Sequence, residues 1–89
     1  MVTKYRFSVI ISAYNVEAYI ERAINSVLKQ DFKDYELIVV EDKSTDNTLS
    51  NIMKYEGKIK LIKNEKNRGL GAVRNIGIEN AEGEYIVHL

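Results

Sequence analysis

Two kinds of apolar period alternate along the chain, and their alternation predicts the fold. Phe7-Ser8-Val9-Ile10-Ile11-Ser12 and Tyr35-Glu36-Leu37-Ile38-Val39-Val40 are short, branched and nearly continuous, the pattern of parallel strands covered on both faces. Between them Val16, Ile20, Ala23, Ile24, Val27 and Leu28 recur at helical spacing, while Glu17, Glu21, Arg22 and Lys29 fall elsewhere. That spacing predicts an amphipathic helix of roughly 14 residues with Asn15 as its N-cap. After the second strand, Asp46 or Ser44 can cap a shorter helix whose apolar face is Leu49, Ile52 and Met53 and which ends near Gly57. Lys58-Ile59-Lys60-Leu61-Ile62-Lys63 alternates basic and apolar residues, as an edge strand does, and its lysines read as edge protection rather than an anion site. A third helix is expected over about 69–81, although glycines at 69, 71 and 77 weaken its propensity. Glu84-Tyr85-Ile86-Val87-His88-Leu89 begins a fourth strand. Strands alternating with helices call for right-handed crossovers and a parallel sheet, most simply ordered third, second, first, fourth. The expected class is therefore α/β, a three-layer sandwich on a mainly parallel, Rossmann-like sheet.

Composition narrows the partners. At 89 residues the chain is one small domain, burying on folding about 60–65% of the surface its unfolded form exposes. Lysine plus arginine equals aspartate plus glutamate at 13 each, so no basic excess drives phosphate-backbone binding and nucleic acid is not an expected partner. The absence of cysteine removes disulfides and thiolate metal sites and fits a reducing cytosol. Met1-Val2-Thr3-Lys4-Tyr5-Arg6 leads into an apolar run of strand length without a signal-peptide core, and no apolar stretch is long enough to span a membrane.

In an open parallel sheet a ligand binds beyond the carboxyl ends of the strands, where the crossovers diverge. For this order the crevice is expected beside the first strand, between it and the fourth. The first candidates are Ser12-Ala13-Tyr14-Asn15 and Glu41-Asp42-Lys43-Ser44. Asp42 has a carboxylate that could accept the imide N–H of a uracil or thymine, a bond to a charged group contributing roughly 1.5–3 kcal/mol; equally, Asp42, Ser44 and Asp46 could simply cap a helix. Tyr14 either stacks on a base or packs with its hydroxyl satisfied. In Asn67-Arg68-Gly69-Leu70-Gly71-Ala72-Val73-Arg74-Asn75-Ile76-Gly77, glycines at a helix start would let N–H groups approach a phosphate and Arg74 could pair with one. Gly77 could instead serve close helix packing, with Arg74 solvated. The segment lacks the lysine-serine pair of a P-loop. His88 is assigned no role.

Taken together, Val9-Ile10-Ile11-Ser12-Ala13-Tyr14-Asn15 followed by Glu17, Gln30-Asp31-Phe32, Tyr35 through Asp46, Asn67-Arg68-Gly69 through Ala72, Arg74-Asn75, Gly77, and Gly83-Glu84-Tyr85-Ile86 resemble the family-two glycosyltransferases along essentially the whole chain. The resemblance implies the GT-A fold, with this chain as the nucleotide-sugar-binding N-terminal segment and the acceptor-binding half absent. It implies that Ser12, Ala13 and Tyr14 lie beside the base, that Asp42 accepts from the pyrimidine, that Ser44 belongs to the same loop, and that Glu17 and Arg74 lie near the nucleotide. Lys43 stands where the family usually has glycine, which raises the question of a positive φ there, and Ala13 stands where proline is common. The family's Asp-x-Asp motif, which holds a divalent cation (Mn or Mg) against the diphosphate, is expected just after Leu89, so no metal ligand and no catalytic residue is expected within the chain. The complete protein would transfer a sugar from a nucleotide diphosphate sugar, UDP-sugar favoured, to a saccharide or lipid-linked acceptor with inversion, in cell-surface polysaccharide synthesis. It would be cytoplasmic, peripheral at the inner membrane face, and the segment alone inactive and prone to self-association. Two other readings stand beside this one. A sugar nucleotidyltransferase would want a glycine-rich basic loop after the first strand, and a non-catalytic nucleotide-binding module of flavodoxin-like topology would leave Asn67-Arg68-Gly69 unexplained.

Overall fold

The two continuous apolar runs become the middle of the sheet because most side chains on both of their faces are apolar. In the computed structural model, which describes residues 4–31 and 33–89, β1 (Tyr5–Ala13), α1 (Ile20–Leu28), β2 (Tyr35–Glu41), α2 (Thr48–Met53), β3 (Lys60–Lys63), α3 (Leu70–Glu79) and β4 (Gly83–His88) follow one another. Met1, Val2 and Thr3, and Phe32 of the Gln30-Asp31-Phe32 motif, lie outside the described residues. The sheet is ordered β3-β2-β1-β4 with every neighbouring pair parallel, as the pattern predicts.

Successive residues of β1 and β2 point to opposite faces, so each strand supplies two cores. Val9, Ile11, Ala13, Leu37 and Val39 meet Ile20, Ile24 and Val27 of α1 and Ile52 of α2 on one face. Ile10, Ile38 and Val40 meet Val73 of α3 on the other. Each fully buried branched side chain here contributes about 1.5–3 kcal/mol. Lys60 does more than protect an edge, since its ammonium donates to the Asn80 carbonyl beyond the end of α3.

Polar side chains fix where β4 begins. The Ser8 hydroxyl donates to Glu36 Oε2 at 2.6 Å, the Glu82 N–H donates to the same oxygen at 2.6 Å, and the Gly83 N–H donates to Ser8 Oγ at 2.8 Å. Ser8 and Glu36 are buried. No buried side-chain nitrogen or oxygen among the described residues lacks a partner.

The first helix differs from expectation. It starts at Ile20, and Asn15, at φ +52°, is not its cap. Residues 14–19 form bends and turns instead, because their backbone is tied to the loop after β2. The second helix ends at Met53, one turn short of Gly57.

In α3 the glycines have separate reasons. Gly69 precedes the helix at φ +88°, whereas Gly77 sits on β1, where an added Cβ would lie 2.6 Å from Ile10 Cγ2. Gly77→Ala should therefore lower stability by about 1–3 kcal/mol through overpacking. Gly71, with nothing within 4 Å of its would-be Cβ, is the control: Gly71→Ala should gain about 0.5–1 kcal/mol. Urea midpoints of the two variants check the pair, and equal shifts would sink the packing argument.

Candidate functional site

At the carboxyl ends of β1 and β2 the backbone leaves the ladder with its N–H groups unpaired, and side chains from the facing loop take them up. The Asn15 N–H donates to Ser44 Oγ at 3.0 Å, the Val16 N–H to Thr48 Oγ1 at 2.8 Å and the Glu17 N–H to Asp46 Oδ2 at 3.3 Å. In return the Thr45 N–H donates to Asn15 Oδ1 at 2.8 Å. Asp46 Oδ1 accepts the Thr48 N–H at 2.9 Å, so Asp46 does serve the start of α2. Burial opposes ionisation of Asp46, but the hydroxyl and N–H of Thr48 and the Glu17 N–H outweigh it and hold its carboxyl below the usual aspartate range.

The turn after β2 answers the question raised by Lys43. Its φ is +62°, a left-handed conformation that glycine adopts without penalty and that costs other residues about 1–2 kcal/mol. Glu41 holds the turn from within, both carboxylate oxygens accepting the Ser44 N–H at 2.7 and 3.1 Å.

Asp42 joins a third segment. Only 2% exposed, it accepts from Asn64 Nδ2 at 2.7 Å and the Arg68 N–H at 2.9 Å on Oδ1, and from the Gly69 N–H at 3.0 Å on Oδ2. Its own carbonyl accepts from Asn67 Nδ2. Burial disfavours the charge, yet these hydrogen bonds and the Arg68 guanidinium outweigh it, keeping the carboxyl below its ordinary value. Asp42 thus caps no helix of its own loop; it clamps the segment that leads into α3. A carboxylate offers about four acceptor positions, so one on Oδ2 is left.

Beside this carboxylate a cleft of about 290 Å³ opens, lined by Ser12, Ala13, Tyr14, Val16, Asp42, Asn67, Gly69, Leu70 and Val73. It lies over the ends of β1 and β2 against the start of α3, and β4 contributes no lining residue, whereas the sequence placed the crevice between β1 and β4. Of the residues singled out in the sequence, Ser12, Ala13, Tyr14 and Asp42 come together here with Asn67, Gly69, Leu70 and Val73 of the glycine-rich patch. Tyr14 is 45% exposed, so its ring is available. Glu17 faces α2, its carboxylate accepting from Asn47 Nδ2. Ser44 is engaged with Asn15 and Glu41, and Arg74 is exposed on α3 away from the lining. Asn64 belongs to the arrangement and was not singled out; no local spacing marks it, because its partner lies 22 residues earlier.

Among the described residues no three histidine, cysteine, aspartate or glutamate side chains converge as a metal site. Glu41 and Asp42 are adjacent, but one carboxylate serves Ser44 and the other the segment before α3. These residues do not by themselves fit a divalent cation. No helix among them is long and apolar enough to cross a membrane. A larger cleft, about 580 Å³, lies at the opposite, amino ends of the strands, far from these loops.

The lowered carboxyl of Asp42 makes stability depend on acid. Above about its ordinary value of 3.8 the ionised form stabilises the fold, and that contribution is lost as pH falls through the lower folded value. Urea midpoints taken from neutral pH downwards should drop steeply below pH 3.8, and Asp42→Asn should start lower at neutral pH and fall less steeply. Parallel pH profiles for the two proteins would refute the clamp.

Known proteins resemble the chain in sequence and in fold. The profile described as Glycosyl transferase family 2 matches residues 8–89. The poly(ribitol-phosphate) beta-N-acetylglucosaminyltransferase TarS of Staphylococcus aureus is 41% identical over 87 residues, covering 92% of this chain and 15% of TarS. The structure of TarS 1–349 with UDP-GlcNAc superimposes with a TM-score of 0.87 at 43% identity, over 94% of this chain and 26% of that one. The Escherichia coli glucosyltransferase WfgD, which acts from UDP-Glc on alpha-D-GlcNAc-diphosphoundecaprenol, is 38% identical over 96% of this chain and 34% of its own length. A Pyrobaculum calidifontis mannosyltransferase, solved with GDP-Man and Mn2+, matches with a TM-score of 0.81 at 26% identity, over 97% of this chain and 28% of that one. The chain spans about a third or less of the length of these relatives. With its profile match running from the middle of β1 to the last residue, and an all-parallel sheet that superimposes on GT-A enzymes, the chain belongs to glycosyl transferase family 2.

Proposed function

We propose that this chain is the nucleotide-sugar-binding N-terminal segment of an inverting glycosyltransferase, and that its cleft receives the uracil of a UDP-sugar. One observation carries the reading: a buried, ionised Asp42 with an unused acceptor position beside an exposed Tyr14 ring in the same cleft. The uracil imide N–H donates to Asp42 while the ring stacks on Tyr14, and Ser12 and Ala13 form the floor. The similar TarS and WfgD use UDP-linked donors, which supports uridine. The complete protein then transfers the sugar to a saccharide or lipid-linked acceptor of the cell surface, working in the cytoplasm at the inner membrane face. The divalent cation, present as Mn2+ in the Pyrobaculum relative, requires ligands other than the residues described here. Glu17, Ser44 and Arg74 act on the nucleotide side through the loops that they steady or flank rather than by lining the cleft.

Calorimetry with UDP and CDP tests the base. UDP should bind more tightly than CDP, since cytosine presents an acceptor where uracil presents a donor. Asp42→Ala should weaken UDP by about tenfold or more, and Tyr14→Ala by a similar factor through lost stacking. Equal affinity for the two nucleotides, or an unaffected Asp42→Ala, would overturn the reading. The unpaired edge of β4 and its exposed Tyr85, Ile86, Val87 and Leu89 should also make the 89-residue chain self-associate with rising concentration; a monodisperse monomer in sedimentation would remove that expectation.

A further inference from the structure

The same fold accommodates different bases, because the TarS structure holds UDP-GlcNAc and the Pyrobaculum one GDP-Man. The fold alone therefore does not set the base, and a carboxylate in the site can discriminate by how many of its acceptor positions are free. Uracil presents one imide N–H to it. Guanine presents two adjacent donors, N1–H and the exocyclic amine, and satisfies both only by taking one position on each oxygen. Among the described residues Asp42 Oδ1 is fully engaged, by Asn64 Nδ2 at 2.7 Å and the Arg68 N–H at 2.9 Å, while Oδ2 accepts only the Gly69 N–H. One free position meets one donor, and a second donor pressed into the site would be buried without a partner.

We infer that Asn64 is a specificity-determining positioning residue: by occupying Asp42 Oδ1 it leaves the carboxylate a single vacancy, which suits uridine and rejects guanosine. The inference rests on the uridine reading of the cleft. Asn64 is suited to the task because its own backbone is fixed. It follows β3 directly, and its N–H donates to the Glu41 carbonyl at 2.9 Å, continuing the β2–β3 ladder by one bond. Its side chain is not among those lining the cleft, so shortening it frees an Oδ1 position and the space in front of it without removing a surface that touches the nucleotide.

The experiment measures UDP, GDP and CDP affinities by calorimetry for the unaltered chain, for Asn64→Ala and Asn64→Ser, whose shorter side chains leave the position beside Asp42 Oδ1 open, and for Asn64→His, whose ring N–H can replace the donor. Circular dichroism checks that each variant folds, and the polar serine variant keeps the test open if alanine does not. The unaltered chain should prefer UDP to GDP. Losing the donor should narrow that preference by about tenfold, the worth of one bond to a charged group, chiefly because GDP gains, and Asn64→His should restore it. A purely structural role would weaken both nucleotides alike and leave the ratio where it was, and that result overturns the inference while the UDP-over-CDP preference stands. Absence of the UDP-over-CDP preference in the unaltered chain would overturn the uridine reading and this inference together.

Discussion

A parallel sheet sends the backbone out of every strand at the same end, and the N–H groups released there must find acceptors before anything else can be built. In this chain the acceptors are side chains of the next loop along. Asn15, Ser44, Asp46 and Thr48 bind the first two loops to each other, Glu41 closes its own turn, and Asp42 ties in the segment before α3. The cleft is what remains between loops so joined. Its free polar groups are few because most of them are already in use.

The two cores serve this arrangement from below. β1 is paired on both sides and covered on both faces, so Ser12, Ala13 and Tyr14 leave it from a fixed direction. α3 reaches the site from the other side, and it can come close because Gly77 lets its backbone rest on Ile10. Val73 belongs both to the core under α3 and to the lining of the cleft. Packing of the helix and shape of the site are therefore one variable, and a change that lifts α3 also widens the cleft.

Much of this was legible in the chain. The continuous runs at Phe7–Ser12 and Tyr35–Val40 announced central strands, the lysine alternation announced an edge, and the connection rules gave the strand order. Ser12, Ala13, Tyr14 and Asp42 were recognisable as neighbours because they end two adjacent parallel strands. What the chain did not reveal is long in range. Asn15 looks like a cap at its own helix start, yet its side chain reaches Thr45, 30 residues on. Asp42 reads as a cap for α2, yet its partners lie 22 to 27 residues later. Local periodicity has no access to such pairs, and it overextended α1 for that reason. Lys43 is the opposite case: the usual glycine at that place raised the question of its φ, and the structure supplies the left-handed answer.

The bond between Gly83 and Ser8 joins residues 75 apart in the chain, whereas Ser8 and Glu36, its other partner, are only 28 apart. During vectorial synthesis the β1–β2 pair is thus available well before β4. At roughly 5–20 residues per second, a ribosome would leave the other edge of β1, apolar on both faces, open for a few seconds. In that interval the central strand of the finished sheet is a temporary border strand with a buried serine hydroxyl and half of a polar network awaiting their last partners. The strand open longest to wrong pairing is thus one of the two that end in the middle of the sheet, and the interval closes only when the glycine that fits against Ser8 has emerged.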